Sequence, residues 1–190
     1  TMSEAATRIA QNVADADYND RRFTSAAREL MLQKQELMHM AFVDAEQRVR
    51  WSVASPGPLG DTARPRDSEI GGDAVSAAIA HAQKSHSAFF SPPYEDVSGS
   101  AGGDNGSPFT DLVVPVFRED AYLGVILARI SLPQLLRATV NLELARNYRI
   151  SLIDDAGKVL ATSTLSEARP DAARYAAPIA LLPDGLAIEA

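Results

Sequence analysis

The residue with the clearest chemical potential is Arg129, the one charged side chain in an apolar run from Tyr122 to Ser131. Strand alternation would place Arg129 on the same face as Leu127 and Val125. If that face lines a pocket, the guanidinium can bind a carboxylate through two hydrogen bonds. If the face ends at the rim of a sheet, the side chain extends into water, which is the commoner arrangement for Arg. The sequence leaves both arrangements open.

Catalytic chemistry has no signature in this chain. The sequence contains no GxSxG, P-loop, HExxH or GxGxxG motif, and it has no cysteine for thiol catalysis, disulfides or thiolate zinc sites. His81 and His86 lie five positions apart, which does not place them on one helical face, and they lack a third metal ligand. His39 lies in an apolar segment, where we expect it to be hydrogen-bonded within a sheet. We therefore expect no catalytic residues, no metal and no cofactor.

Composition limits the class of protein. The 190 residues allow one domain or two small ones, and 46% hydrophobic residues suffice for a packed core. The net charge of −7 disfavours nucleic acid and anionic membrane surfaces as partners. The sequence has no run of about 18 apolar residues, which a membrane-spanning helix needs. The chain starts within a helical pattern and stops after a few strand-like residues, so we expect it to be part of a longer protein.

One pattern occurs twice in the chain. AFVDAEQRVRWSV at 41–53 aligns without a gap with SLIDDAGKVLATS at 151–163, an offset of 110 residues. Val43 matches Ile153, and Asp44 matches Asp154. Each copy predicts an apolar strand, a turn that begins with Asp and a second strand. An offset about as long as a small domain indicates two copies of one module, the second of them incomplete.

The elements around these hairpins follow from periodicity. A helical pattern covers 3–36, and we expect a stripe along it that is either a dimer seam or the face that packs on the same domain. The stripe consists of Ala6, Ile9, Val13, Ala16, Asp20, Phe23, Ala27 and Leu30.

The remaining pattern predicts an α+β domain with an antiparallel sheet and helices packed on it. Strands are predicted at 37–44, 49–54, 85–91, 109–118 and 122–131, with loops at 55–72 and 92–108. Helices are predicted at 73–84 and from Ser131 to about Asn147. Ser131 would cap the second helix, with Gln134 at the capping-box position. Pro115 indicates a free edge or a bulge, and Gly124 a kink or a close backbone approach.

Three stretches together resemble a PAS-like Cache domain, the extracytoplasmic sensor module of bacterial receptors, most closely that of C4-dicarboxylate-type sensor histidine kinases. They are SAFFSPPY at 87–94, DLVVPVFREDAYLGVILARISLPQLL at 111–136 and YRISLIDDAGKVLATS at 148–163. The resemblance implies a long N-terminal helix at 1–36 and a membrane-distal domain with a five-stranded sheet at 37–131. It further implies a connecting helix at 132–147 and the start of a membrane-proximal module at 148–190.

The resemblance also implies a ligand site against the sheet, under the long loop and the helix at 73–84. Polar and aromatic residues on the central strands and at the loop rims are then the candidates: Phe90, Tyr94, Thr110, Asp111 and Arg129. Each has another interpretation. Phe90 can fill the core, Tyr94 suits either role, and Asp111 can bind a ligand amine or cap a turn.

The expected function is the periplasmic input domain of a two-component sensor histidine kinase. It would bind a small solute, an organic acid or amino acid, and signal across the membrane in which its parent chain is anchored. The resemblance further implies a homodimer through the N-terminal helix. The alternatives are a dimerisation or spacer domain that binds no ligand, and a cytosolic PAS-like regulatory domain with a bound cofactor. A hydrolase ranks behind both.

Overall fold

The computed structural model of the chain describes residues 2–15, 18–55, 73–95 and 108–163, together with the backbone of 176–178 and 186–189. Most of the two predicted loops, at 56–72 and 96–107, lies outside the described residues.

The first part of the chain contains one antiparallel sheet. Its strands are β1 (Leu37–Asp44), β2 (Val49–Ala54), β3 (Phe89–Phe90), β4 (Tyr94–Glu95), β5 (Pro108–Arg118) and β6 (Ala121–Ser131). The order is β2-β1-β6-β5-β3, and β4 also pairs with β5. Since β3 and β4 pair with successive parts of β5, the six strands occupy five positions across the sheet. The predicted α+β fold with a five-stranded antiparallel sheet is confirmed.

The N-terminal segment forms two helices where the sequence pattern predicted one. Helix α1 covers Met2–Val13 and α2 covers Asp20–Gln33. Asn19 ends any continuous helix because its backbone is extended and its side chain accepts a hydrogen bond from the Arg22 amide, which makes it an N-cap. Asp20, the polar exception in the predicted stripe, is therefore the first residue of α2.

The stripe on α1 and α2 packs on the sheet of its own chain. Six of its members are at most 6% exposed and belong to one core cluster: Ala6, Ile9, Val13, Phe23, Ala27 and Leu30. They meet one face of the sheet, represented by Phe42, Leu112 and Ile126. The only tryptophan in the sequence, Trp51, joins this cluster with its ring centroid 5.1 Å from that of Phe42. Of the two roles considered for the stripe, the structure shows the intramolecular one.

The opposite face of the sheet carries α3 (Asp73–Ser85). The apolar side of α3, which includes Val75 and Ile79, packs on Ala41, Val113 and Leu127. These strand residues alternate with those under α1 and α2, as the twofold repeat of a strand requires. We call this side the α3 face, and it is the side to which Arg129 belongs.

Two features of the strands agree with their sequence patterns. Gly124 has φ 140°, and a Cβ there would collide with the carbonyl oxygen of Val43, so close approach of β1 and β6 requires glycine. Pro115 lies beyond Val113, the last β5 residue to pair with β3, so the edge beside it has no strand partner among the described residues.

Two predicted boundaries are wrong. The third strand was expected at 85–91, but α3 continues through Ser85, and His86 at φ 55° turns the chain so that only Phe89 and Phe90 pair with β5. The helix expected from Ser131 to Asn147 is divided into α4 (Leu132–Thr139) and α5 (Leu142–Asn147). Asn141 separates them by capping α5 through a bond from the Glu143 amide. The predicted cap of α4 is confirmed, since Ser131 Oγ accepts from the Gln134 amide.

A second antiparallel sheet follows α5. Its strands are β7 (Ser151–Asp154), β8 (Val159–Thr162), β9 (Ala176–Pro178) and β10 (Leu186–Glu189), in the order β8-β7-β10-β9. The β7–β8 hairpin repeats the β1–β2 hairpin, with Ser151 opposite Thr162 as Ala41 is opposite Ser52. The turns also correspond, because the carboxylates of Asp44 and Asp154 accept the equivalent amides four residues on. The predicted domain divisions at 36, 131 and 147 remain predictions.

Candidate functional site

A row of polar side chains crosses the α3 face at the end where β1 and β5 begin and β6 finishes. Register places Arg129 of β6 between His39 of β1 and Asp111 of β5. All three side chains are nearly buried, with relative exposures of 5% for Arg129, 3% for His39 and 2% for Asp111. The surrounding face is apolar, so these groups stand out as the polar part of a hydrophobic surface.

Asp111 is the centre of this row. Its Oδ2 accepts a hydrogen bond of 2.6 Å from the Tyr94 hydroxyl, and its Oδ1 lies 3.7 Å from Arg129 Nε. The second distance is that of an ion pair and is longer than an N–H···O hydrogen bond. Asp111 lies within β5 and not in a turn, so the turn-capping interpretation is wrong.

Aromatic rings frame the guanidinium of Arg129. Its Cζ lies 5.7 Å from the ring centroid of Tyr94 and 5.7 Å from that of Phe109. Both distances fall within the range of a cation–π interaction. Tyr94 therefore contacts both charges, through its hydroxyl to Asp111 and through its ring to Arg129.

Strand β4 and the segment before it hold Tyr94 in place. The Ser91 amide donates to the backbone oxygen of Asp111, and the Asp111 amide donates to Ser91 Oγ. Tyr94 then pairs with Phe109 at the start of β5. These bonds fix the backbone on both sides of the short segment 92–93, so the Tyr94 side chain is positioned by a rigid strand edge.

His39 extends the row onto β1. Its Nε2 lies 2.9 Å from Ser52 Oγ on β2, which confirms the expectation of a hydrogen-bonded sheet histidine. Residues 39 and 129 are direct cross-strand partners, so their side chains leave the sheet side by side. The row thus contains Ser52, His39, Arg129, Asp111 and Tyr94 on five successive strands.

The structure does not bring Phe90 and Thr110 to this row. Phe90 packs against the core cluster on the α1 and α2 side of the sheet. Thr110 is fully buried, and its hydroxyl donates to the backbone oxygen of Ser91. Of the five predicted site residues, Tyr94, Asp111 and Arg129 are neighbours on one face.

Sequence reasoning missed His39 as a neighbour of Arg129. The available signal was the apolar character of 37–44 and 122–131, because an antiparallel pairing of these two runs brings His39 beside Arg129. That signal depends on the register of the two strands, because a one-residue slip would turn the side chains of one strand to the opposite face of the sheet. The β-bulge between Leu37 and His39 makes the register unreadable from alternation alone.

The described residues contain neither a metal-binding cluster nor a membrane span. No group of three His, Asp or Glu side chains in them is arranged to hold a metal ion. No helix in the part of the chain that the structure describes has the length and hydropathy to cross a membrane.

Several solved sensor domains have the same architecture. The ligand-binding domain of the Campylobacter jejuni chemoreceptor Tlp3, solved with 4-methylisoleucine, superposes with a TM-score of 0.59 over 98% of this chain and 80% of its own, at 10% identity. The ligand-binding domain of the Pseudomonas aeruginosa amino-acid chemoreceptor PctC, solved with GABA, gives 0.57 over 98% and 89%, at 15% identity. An extracellular ligand-binding receptor from Desulfohalobium retbaense gives 0.64 over 99% and 36%, at 15% identity.

This chain has the fold of a receptor sensor domain. The predicted resemblance to PAS-like Cache sensor modules is thereby confirmed at the level of the fold, since identities of 10–15% extend no further. No protein-family model and no curated protein matches the sequence.

Proposed function

We propose that this chain is the extracytoplasmic ligand-binding part of a membrane receptor and that it binds a small solute bearing a carboxylate. The observation that carries the proposal is the buried pair of Arg129 and Asp111, 3.7 Å apart within a polar row that crosses an otherwise apolar sheet face. Ligand sites combine an apolar surface with a few fixed polar groups in this way. The solute is an organic acid or an amino acid.

Energetics support a role for this pair beyond folding. Burial of two charges costs more than their attraction returns in many proteins, and apolar residues of similar size often stabilise a core better. Leu, Val and Ala fill the corresponding positions on the rest of this face. A planar guanidinium whose Cζ lies 5.7 Å from each of two ring centroids is suited to bind a carboxylate through two hydrogen bonds.

Asp111 supplies the opposite chemistry. Its carboxylate accepts from Tyr94 and can also accept from a ligand ammonium, because each carboxylate oxygen accepts more than one hydrogen bond. An amino acid carries both a carboxylate for Arg129 and an ammonium for Asp111. The structural neighbours solved with 4-methylisoleucine and GABA are consistent with a ligand of this kind.

The parent protein in this proposal is a signalling receptor, and the domain itself is not an enzyme. A histidine kinase and a chemoreceptor are both compatible with such an input domain, and the neighbours are chemoreceptor domains. We place the domain in the periplasm and the parent in the inner membrane. A homodimer through the N-terminal helices would have to use their outer side, because the apolar stripe is already buried.

A thermal-shift screen with matched variants tests the proposal. Wild-type protein is melted against a panel of organic acids and amino acids at 10 mM, and the dissociation constant of each stabilising compound is measured by calorimetry. We expect Arg129→Gln to weaken the strongest binder by about 100-fold, which corresponds to about 2.7 kcal/mol and to the loss of a bidentate, charge-assisted interaction. Arg137→Gln, on the exposed side of α4, serves as the control and should bind like wild type.

Two results would refute the proposal. One is a screen in which no compound stabilises the wild type, which would favour a spacer domain. The other is an Arg129→Gln variant that stays folded and binds the best compound with unchanged affinity.

A further inference from the structure

We infer that His39 is a fourth residue of this site and that its protonation decides the net charge of the ligand that the site accepts. The inference rests on the function proposed above. His39 is 3% exposed and is the direct cross-strand partner of Arg129. Side chains of directly opposed residues start about 4.5–5.5 Å apart at Cβ, so a charge on this imidazole acts on any ligand at the guanidinium.

The charges of the row balance when His39 is neutral. Arg129 contributes one positive charge and Asp111 one negative charge, and both are almost fully buried. A zwitterionic amino acid adds no net charge to this arrangement. An organic acid with a single carboxylate and no amine adds one negative charge, which a buried site tolerates poorly unless a positive charge accompanies it. Protonated His39 would supply that charge.

Binding of an acid is therefore coupled to uptake of a proton by His39. Without a ligand, the guanidinium of Arg129 repels an imidazolium beside it, because like charges disfavour ionisation. A ligand carboxylate on Arg129 removes that repulsion and attracts the imidazolium instead. Ser52 Oγ, 2.9 Å from Nε2, is a suitable partner for either protonation state, since a hydroxyl can donate or accept.

Other charged and titratable groups on this side of the sheet also influence the charge of His39. Among the described residues, the charged or titratable groups in the polar row with His39 are Arg129 on β6, Asp111 on β5 and Tyr94 on β4, and α3 contributes His81 farther away. In model peptides Asp, Arg and Tyr titrate outside pH 5.5–8, so histidine is the residue type among these that is suited to change charge in that interval. The ring centroid of His81 lies 4.1 Å from that of Phe89 on β3, and β3 is separated from β1 by β5 and β6.

The expected result is a pH dependence that differs between two kinds of ligand. Free histidine titrates near pH 6.5. Affinity for a monocarboxylic acid should rise as the pH falls from 8 to 5.5, by at most about tenfold per pH unit for one coupled proton. Affinity for the corresponding amino acid should stay constant over that range, because its binding changes no net charge in the site.

The test compares hydroxy acids with the amino acids of the same skeleton. Calorimetry at pH 5.5, 6.5, 7.5 and 8 is performed with L-lactate and L-alanine, and with 2-hydroxyisocaproate and L-leucine, in two buffers of different ionisation enthalpy. We expect uptake of about one proton per hydroxy acid at pH 7.5 in the wild type and no pH dependence of hydroxy-acid binding in His39→Asn. His86→Asn is the matched control, because His86 has φ 55° and Asn tolerates that conformation.

The outcomes separate this inference from the proposed function. Amino acids that bind while hydroxy acids bind at no pH, or bind without proton uptake, would overturn the role of His39 and leave the ligand site intact. A pH dependence that persists in His39→Asn would do the same. Failure of every acid and amino acid to bind the wild type would overturn both. If His39→Asn does not fold, as judged by its melting curve, His39→Gln replaces it and must give the same loss of pH dependence.

Discussion

At the scale of single residues, the buried pair of Arg129 and Asp111 is important for the stability of the domain. Each is within a few per cent of complete burial, and the carboxylate of Asp111 is the partner that compensates the guanidinium within the sheet. Removal of one member leaves the other as an uncompensated buried charge, which is far more costly than removal of both. The pair should therefore show strong non-additivity.

We predict that Asp111→Ala lowers the free energy of unfolding by about 3–5 kcal/mol. In a chain of this size that loss corresponds to a fall in melting temperature of about 6–20 °C. The double variant Asp111→Leu with Arg129→Met should recover most of the loss, because both charges are then absent. Urea denaturation followed by Trp51 fluorescence measures each variant. Asp120→Ala, an exposed aspartate in the β5–β6 turn, is the control, and a cost equal to that of Asp111→Ala would contradict the prediction.

Sequence reasoning reached part of this site and stopped for a physical reason. Arg129 and Tyr94 were identifiable because a charge in an apolar strand and an aromatic residue beside a loop are unusual in themselves. His39 was not, because its role depends on a neighbour 90 positions away in the chain. Phe90 and Thr110 were predicted to belong to the site, but they lie on the other face of the sheet. Sequence alternation separates the two faces of a strand and does not show which of them carries the polar row.

The repeated hairpin is the feature that matters at the scale of elements. In the first copy Asp44 accepts the Arg48 amide at 2.9 Å and pairs with the Arg50 guanidinium. Burial alone would raise the pKa of the Asp44 carboxyl, but these two partners outweigh burial and hold its pKa below the ordinary value of 3.8. In the second copy Asp154 accepts the Lys158 amide at 2.8 Å and is exposed enough to be solvated.

We predict that Asp44→Asn costs about 1.5–3 kcal/mol at pH 7, the usual contribution of hydrogen bonds to a charged group. Because the pKa of Asp44 is lower in the folded than in the unfolded chain, its stabilisation is present above about pH 4 and disappears as the pH falls through the folded value. The difference between wild type and variant should therefore shrink below pH 4, as measured by urea denaturation between pH 2.5 and 7. Asp154→Asn is the paired comparison. A difference that stays constant down to pH 2.5 would refute the electrostatic explanation.

The elements themselves were predictable to different degrees. Strands β1 and β2 have the predicted limits because an apolar run, a turn that begins with Asp and a second run define them locally. The division of the N-terminal segment at Asn19 escaped the periodic pattern, since a stripe at helical spacing continues across a cap when the helices on both sides pack on the same sheet.

At the scale of the whole molecule, the site lies where the first sheet joins the second. Arg129 is two residues from Ser131, whose side chain caps α4 and whose amide donates to the oxygen of Glu36, the residue before β1. Helix α4 then packs its Leu136 against Ile150 and Leu152, which support the second hairpin. Strand β6 thus connects the candidate site to the second sheet through one short helix.

This connection could be anticipated only in outline. Ser131 predicted where the helix begins. The surface that buries Leu136 belongs to a hairpin whose position relative to α4 depends on the break at Asn141, and no local pattern specifies that angle. A physical path from the site to the second sheet is therefore a property of the folded chain.

We predict that a ligand bound at Arg129 slows hydrogen exchange in 150–154 and that Leu136→Ala abolishes this effect while leaving ligand affinity within about threefold. Truncation of a buried leucine costs about 2–5 kcal/mol and leaves a cavity, which uncouples α4 from the second hairpin but lies on the far side of Ser131 from the site. Mass spectrometry of exchange with the best compound of the screen measures both sheets in one experiment. Leu144→Ala, half-exposed on α5, is the control and should retain the effect. Protection of β1 and β6 in the same sample reports that the ligand is bound. If exchange in 150–154 is still slowed in the ligand-bound Leu136→Ala variant, the coupling does not pass through α4 and the prediction is wrong.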